Sequence, residues 1–362
     1  MRLRAGSFPF PFRTRFEHAA AARERAANVV VIADDAGLTG LGEGCPRDYV
    51  TGETVASALA AIARWRHEGI ENVATRDDLE AWMQEHTADI DANPSAFAAV
   101  ELALLDVFAR RAGQSLEAFL GVAPTDAGLR VSAVYGTGGM AKFLAQIALF
   151  NLYGMRDAKL KLSGDARQDA LRVACLAHFG RVRLDANNLW TSAEDACRAL
   201  GALRNSAWAV EEPLRARDWA GLAAIGARTG LAIVLDESAT RADDLSHLER
   251  GPAYVLNARV SKHGGLLRTL SIVGAARKLG LSIVVGAQVG ETSILARAGV
   301  VAAKAAGDSL VGFEGAFGTR LLVRDATSVS INFGYAGKVE LGGVHSLGSG
   351  LTPTAEVDRG AA

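Results

Sequence analysis

From Val131 onward the chain repeats one rhythm: a short apolar run, a turn, an Ala/Leu-rich amphipathic stretch, and then the next run. The runs are VSAVYG from Val131, AKLKL from Ala158, RVRLDAN from Arg181, AWAVEEP from Ala207, AIVLDES from Ala232, AYVLNARV from Ala253, SIVVGA from Ser282 and LVGFEG from Leu310. Strand-like runs alternating with helices at a step of roughly 25 residues form a parallel sheet, and eight of them suit a closed barrel. An open doubly wound sheet is the alternative. No G-x-G-x-x-G follows the first run, GLRVSAVYGTGG, so a dinucleotide-binding sheet is disfavoured.

The residues before Leu129 have another texture. A β-rich opening reaches NVVVIA (Asn28 to Ala33), a Gly-rich turn spans Gly37 to Gly44, and apolar residues at three-four spacing predict helices over Ala56 to Trp65, Asp77 to Glu85 and Ala96 to Arg111. This is an α+β module. The tail from about Leu321 holds a strand-like SVSINFG and many glycines but no further βα unit, so it is expected to return to the N-terminal module. The expected domains are therefore a cap of 1–127 completed by 321–362 and a barrel of 128–320. From Pro353 onward the chain reads as disordered.

Composition narrows the partners. With 39 basic and 40 acidic residues and a net charge of −1, nothing suggests a grip on nucleic acid or an anionic membrane. Cys45, Cys175 and Cys197 lack metal-type spacing and fit a reducing compartment. No run approaches the roughly 20 apolar residues of a membrane span. The expectation is a cytoplasmic protein acting on a small molecule.

In a barrel, catalytic groups sit at the C-terminal ends of the strands, where an apolar interior would reject them. The runs end in Lys159 and Lys161, Asp185 and Asn187, Glu211 and Glu212, Asp236 and Glu237, Asn257 and Arg259, and Glu314. Alternation puts Lys159 and Lys161 on one face. Asp185, Glu211 and Asp236 supply three carboxylates from three consecutive strands, the hard oxygen set that Mg²⁺ takes. A structural belt of ion pairs between these carboxylates and the lysines is the bland alternative. The chemical reading is that the metal holds a substrate carboxylate and stabilises the enediolate formed when a lysine removes the α-proton. Lys161 needs a lowered pKa for that task, and Lys159 and the metal beside it are the expected causes.

On these motifs the chain resembles the enolase superfamily, and within it the muconate lactonizing enzyme subgroup of the mandelate racemase/muconate lactonizing enzyme family. AKLKL is similar to the subgroup's K-x-K motif, RLDANNLW to D-x-N, VEEPL to E-x-P and VLDES to D-E-S. The likeness extends to KHGG at Lys262 to Gly265 and to GLGEGCPRDYVTGET, which resembles the segment that closes over the substrate. It implies a modified (β/α)7β barrel with an α+β capping domain, a homo-oligomer, Mg²⁺ on Asp185, Glu211 and Asp236, Lys161 as base and Lys159 as its assistant.

One position departs from the pattern. Family members that racemise carry a second lysine on the sixth strand, where LNARVSKHGG places Arg259, with Lys262 as the later basic residue. Arginine stays protonated, so Arg259 reads as a fixed cation and the chemistry as one-base. Lys262 is kept as a catalytic candidate. The expected activity is an isomerase, of cycloisomerase or racemase/epimerase type. Its alternatives are a carbon–oxygen lyase and a non-catalytic metabolite-binding relative, while a Schiff-base aldolase would waste the carboxylates. Substrate contacts are expected from Asn187, Tyr49, Gln288, Glu291 and Glu314. Arg13, Arg15, Arg23 and Arg25, in the lid-like opening, and Arg47 are further candidates, whereas His18 and His263 read as structural. The acidic pair that holds the amine in the subgroup's dipeptide epimerases is reduced here to Glu314, so a dipeptide is not favoured.

Overall fold

In the computed structural model, which describes residues 1–18, 21–123, 128–342 and 347–361 and leaves out the side chains of 15–23, the chain opens with a three-stranded antiparallel sheet. Its order is β1 (Arg2–His18), β2 (Ala21–Asp35) and β3 (Leu38–Gly44). The stretch from Gly37 to Gly44, expected as a turn, turns only at its start and then forms β3. Alternation places Gly40, Gly42 and Gly44 on one face of that strand. A Cβ on any of them would collide with the backbone carbonyl of Ala103, Ala99 or Ser95. The bare glycine face lets a helix backbone settle directly on the sheet.

That helix is α4 (Pro94–Arg111), buried from Pro94 to Ala109 and preceded by α1 (Val55–His67), α2 (Arg76–Glu85) and α3 (Thr87–Ala92). Pro94 takes the first helical position, where no donor is lost. The Glu53 carboxylate caps the helix, accepting from the N–H groups of Ser95 at 2.9 Å and Ala96 at 3.0 Å. A short α5 (Leu116–Leu120) leads toward the barrel.

Eight parallel strands follow: β4 (Ala133–Tyr135), β5 (Asp157–Lys161), β6 (Arg181–Asp185), β7 (Ala209–Glu211), β8 (Ala232–Leu235), β9 (Tyr254–Ala258), β10 (Ser282–Val285) and β11 (Leu310–Phe313). They pair in chain order. The N–H of Ser132 donates to the carbonyl of Phe313 at 2.7 Å, joining the two ends of the curled sheet. The crossovers are α6 (Met140–Leu152), α7 (Ala166–Cys175), α8 (Ala193–Gly201), α9 (Trp219–Thr229), a 3₁₀ turn at Ala242–His247, the short α10 (Val260–His263) with α11 (Leu266–Lys278), and α12 (Ser293–Ala306). The fifth crossover stays short because the Asp244 carboxylate caps it from Thr240 and Arg241 and the chain bends out at Leu248.

Two carboxylates tie the N-terminal module to the barrel by capping barrel helices. Glu101 of α4 accepts from the N–H groups of Leu266 and Leu267, both at 2.7 Å, at the start of α11. Gly265, with φ of 107°, makes room: a Cβ there would press on that carboxylate. Glu43 of β3 does the same for α12, taking the Thr292 hydroxyl at 2.7 Å and the Leu295 N–H at 3.1 Å. Burial pushes both carboxyl groups up to about 7.

The tail folds back. A two-stranded ribbon pairs Asn332–Phe333 with Val339–Glu340. The segment from Pro353, expected as disordered, forms a helix over Ala355–Gly360 that is capped by the Thr354 hydroxyl. Val357 packs with Phe8, Phe10 and Leu351, and Arg4 holds Asp358 at 2.9 Å, which anchors a segment whose own apolar content is small.

Truncating Glu101 to Ala leaves two buried amides without an acceptor. Urea unfolding of that variant is expected to show a loss of about 2–4 kcal/mol. A change below about 0.5 kcal/mol, the scale of a neutral surface substitution, would mean that the carboxylate does not hold cap and barrel together.

Candidate active site

Register sets the level of the site. Lys161 of β5 pairs with Asp185 of β6, Asp185 with Glu211 of β7, and Glu211 with Val234 of β8. Asp236 lies two residues beyond Val234, so it returns to the same face. Asp185, Glu211 and Asp236 are all buried. Burial takes them out of bulk solvent, so each must find a cation.

Lys159 sits among them. Its Nζ is 2.8 Å from Glu211 Oε2, 3.1 Å from Asp185 Oδ2 and 3.4 Å from Glu314 Oε1. Burial pulls its pKa down, but the three carboxylates outweigh burial and raise it, so Lys159 remains an ammonium. The same contacts hold Asp185 and Glu211 below the usual carboxylate range against the opposing pull of burial. Arg183 of β6 completes the floor, its guanidinium on Glu314 and 3.7 Å from Glu211.

Lys161 is different. Its Nζ lies 3.8 Å from Asp185 and 3.3 Å from Asn187 Oδ1, and its pKa is lowered. Burial is the larger cause; Asp185 opposes it, and Lys159 and Arg259 add to it. Lys159 thus acts in the expected direction, with desolvation, which the sequence did not single out, as the larger cause.

Arg259 reaches across the ring, with Nη2 on Asp236 Oδ2 and 3.3 Å from Glu211 Oε1. Burial would lower its pKa, but Asp236, Glu211 and Glu237 raise it further, and it holds its proton throughout the working range. Lys262, kept as a catalytic candidate, is turned elsewhere. The strand ends at Ala258 and the chain enters α10, so the two-residue alternation stops before residue 262. Its Nζ donates to the carbonyls of Asp236 at 2.6 Å, Asn257 at 3.0 Å and Ala239 at 3.3 Å, and to Asp236 Oδ1 at 3.0 Å. Lys262 clamps the ends of β8 and β9.

A cavity of about 330 Å³ opens over this belt. Lys159, Lys161, Asn187, Arg259, Gln288, Glu291, Glu314 and Tyr49 all line it, whereas Lys262 lines a second cavity beside it. Glu314 is committed to Arg183 and Lys159. Gln288 is buried with neither amide atom hydrogen-bonded, and Glu291, which accepts the Gln288 N–H at 2.6 Å, is pushed up to about 8 by burial. Arg47 is a latch, donating to Ala27 O, Pro46 O, Asn28 Oδ1 and Val289 O. Arg13 binds Thr319 O, Arg25 is exposed, and the side chains of Arg15, Arg23 and His18 lie outside the described residues. Burial pushes His263 down to about 3, so it is a neutral structural residue on Thr240 O.

Two site residues stood out in the sequence only as strand-end charges without an assigned role, and the apolar wall had no signal at all. Glu237 lines the cavity with Oε2 unpartnered, and burial with Asp236 and Glu212 beside it raises its pKa; its own D-E-S motif was the clue. Glu212, at φ 38°, accepts from Asp236 N at 2.6 Å and Ser238 N at 2.8 Å, and so positions Asp236. The apolar wall of Phe12, Phe143, Phe150, Phe317 and Leu321 comes from three separate segments that no local pattern links.

Among the described residues no three carboxylate, His or Cys side chains converge into a ligand set by themselves, because Lys159 and Arg259 stand between the acids. The donors nevertheless suit Mg²⁺. Asp185 Oδ2 and Glu211 Oε2 are buried on adjacent strands and face the same cation, the Lys159 ammonium at 3.1 and 2.8 Å, so they form a pair of hard oxygens suited to an ion that fills its remaining positions with water and substrate.

Residues 142–327 match the family model described as enolase C-terminal domain-like, and residues 9–121 match the mandelate racemase/muconate lactonizing enzyme N-terminal domain. The chain is 30% identical over 306 residues to the aromatic dipeptide epimerase of Herpetosiphon aurantiacus, covering 81% of this chain and 82% of the relative. It is 29% identical over 278 residues to the hydrophobic dipeptide epimerase of Enterococcus faecalis, covering 74% and 75%. Among solved structures, a dipeptide epimerase from Methylococcus capsulatus complexed with Mg and L-Arg-D-Lys superposes with a TM-score of 0.81 at 26% identity, covering 97% of this chain and 99% of that one.

The clamp assigned to Lys262 makes a distinct prediction. Lys262→Met should lower stability by about 3–5 kcal/mol, as expected for breaking a buried pair, while the pH at which activity rises stays where it is in the wild type. A stable variant whose pH profile has moved would return Lys262 to the chemistry.

Proposed function

The chain belongs to the mandelate racemase/muconate lactonizing enzyme family of the enolase superfamily, and from that premise we propose that Lys161 alone moves the proton. As a family member it is an Mg²⁺-dependent isomerase acting α to the carboxylate of a small substrate. Asp185, Glu211 and Asp236 would hold the ion. When bound, it supplies the Lewis-acid charge that makes an α-proton removable.

Every other role falls to side chains. Lys161, desolvated and facing the cavity, is the group whose neutral form is accessible, and it accepts the proton. Lys159 stays charged beneath it and balances the carboxylates. Asn187, itself fixed at φ 44° and bonded to Asp185, steadies the Lys161 amine. The observation that carries the one-base reading is Arg259: held by Asp236 and Glu211, it stands where a second base would and cannot take a proton. Isomerisation that needs no second base, of the cycloisomerase kind, fits this arrangement best. The aromatic wall favours a substrate with an apolar body. Cytoplasmic location and homo-oligomeric assembly belong to this proposal as well; among the described residues no helix is long and apolar enough to cross a membrane.

One observation favours a second reading, epimerisation like that named for the relatives. Glu237 lines the cavity with an unpartnered oxygen and a raised pKa, and it could serve the face opposite Lys161. Arg259 would then only neutralise charge.

Removing the base separates chemistry from scaffolding. Lys161→Ala should cut Mg²⁺-dependent α-proton exchange by about 10²–10⁴-fold, with the fold intact by circular dichroism. Chelation by EDTA should abolish exchange reversibly. Because the neutral amine is the active form, wild-type exchange should rise with pH along a limb centred below the ~10.4 of a free lysine. Exchange that survives in the variant would end the assignment.

A further inference from the structure

Across the mouth from β8, four strands around the ring, the cavity wall is made by the loop after β4 and the first turns of α6. Gly136, Gly138, Lys142 and Gln146 line it there. Lys142 and Gln146 are one helical turn apart and so share a face. Among the described residues Lys142 has no ion-pair partner, unlike Lys159, Arg259 and Arg47, the other cations committed elsewhere around the cavity.

The loop is prepared for negative charge. The buried Arg172 donates to the carbonyls of Gly136, Thr137 and Gly138, so the oxygens that would repel an anion are already occupied. The start of α6 has no side-chain cap, which leaves its amide dipoles uncompensated. An independent observation points to a polar ligand group in the cavity: Gln288, 4% exposed, lines it with both amide atoms unpartnered. Among the described residues the loop after β4 and the first turns of α6 carry no carboxylate that lines the cavity. Glu314 is bound by Arg183 and Lys159, Glu291 accepts the Gln288 N–H, and Glu237 lies beside Asp236.

We infer that this wall, through Lys142, binds a second anionic group of the substrate. The substrate is then a dianion, with one carboxylate at the reacting end and another acidic group on an acyl arm or side chain, and not a zwitterion with a free amine. This rests on the site proposed above and names the class of molecule it takes. Lys142 is its specificity residue.

The test uses the N-succinyl, N-acetyl and N-glycyl forms of phenylalanine, with binding measured by calorimetry in Mg²⁺. The expected result is N-succinyl binding about five- to tenfold tighter than N-acetyl, the effect of one partly screened charge pair, and N-glycyl binding weakest. Lys142→Ala should bring the succinyl-to-acetyl ratio toward one, and Lys142→Glu should invert it. Preference for the N-glycyl form, a ratio unmoved in both variants, or no binding by any of the three would overturn the inference. Exchange in D₂O of the same complexes is read separately. Preference without exchange refutes the proton-abstraction reading and leaves the dianion standing, and exchange without preference does the reverse.

Discussion

A parallel barrel covered by helices cannot solvate a charge along its length, and this chain crowds carboxylates and cations together at one end of it. Lys159 is what makes that tolerable. Its ammonium lies within 3.4 Å of Asp185, Glu211 and Glu314, three acids from three different strands. With Lys159 permanently charged, the neighbouring Lys161 is left as the amine that can lose its proton. The same belt ties Arg259 to Asp236 and Glu211, so one network sets both the base and the position where a second base is missing. Lys159 and Arg259 also accompany the proposed metal ligands, so the charge balance at the mouth is set by the side chains together with the ion they would hold.

The cap depends on the same physics in another form. Helices α11 and α12 expose amide donors at their starts, and buried carboxylates from the N-terminal module, Glu101 and Glu43, accept them. Docking by helix caps fixes an orientation that apolar contact alone leaves free to slide. With the cap so held, Phe12 and Tyr49 reach the cavity that the strand ends open. Asn187, Asn188 and Glu212, all at positive φ, mark where the backbone bends to aim the site, a strain that neighbouring bonds sustain.

Much of this is legible in the sequence alone. Lys159, Lys161, Asp185, Glu211 and Asp236 stand out because an apolar strand ends in a charge, and alternation then places them on one face. Arg259 was readable as a cation for the same reason. Lys262 was not, because its direction depends on where β9 gives way to α10, a boundary that the apolar pattern blurs. The commitment of Glu314 to Arg183 was also hidden: the partners lie 131 residues apart and only the curl of the sheet brings them together. GLGEG carries turn-forming residues, yet its glycines serve close packing against α4. The final helix depends on Val357 alone among its residues for burial, so its order comes from the β1 surface it meets.

The central claim is that Lys161 is the only proton carrier and Arg259 a fixed cation opposite it. Its most direct test is the stereochemical outcome of exchange in D₂O with Mg²⁺, followed by mass spectrometry and chiral chromatography on a turned-over carboxylate. The account predicts gain of one deuterium with configuration retained. Deuterium gain with inversion would show a second acid on the far face, with Glu237 the residue positioned to supply it, and would contradict the one-base reading.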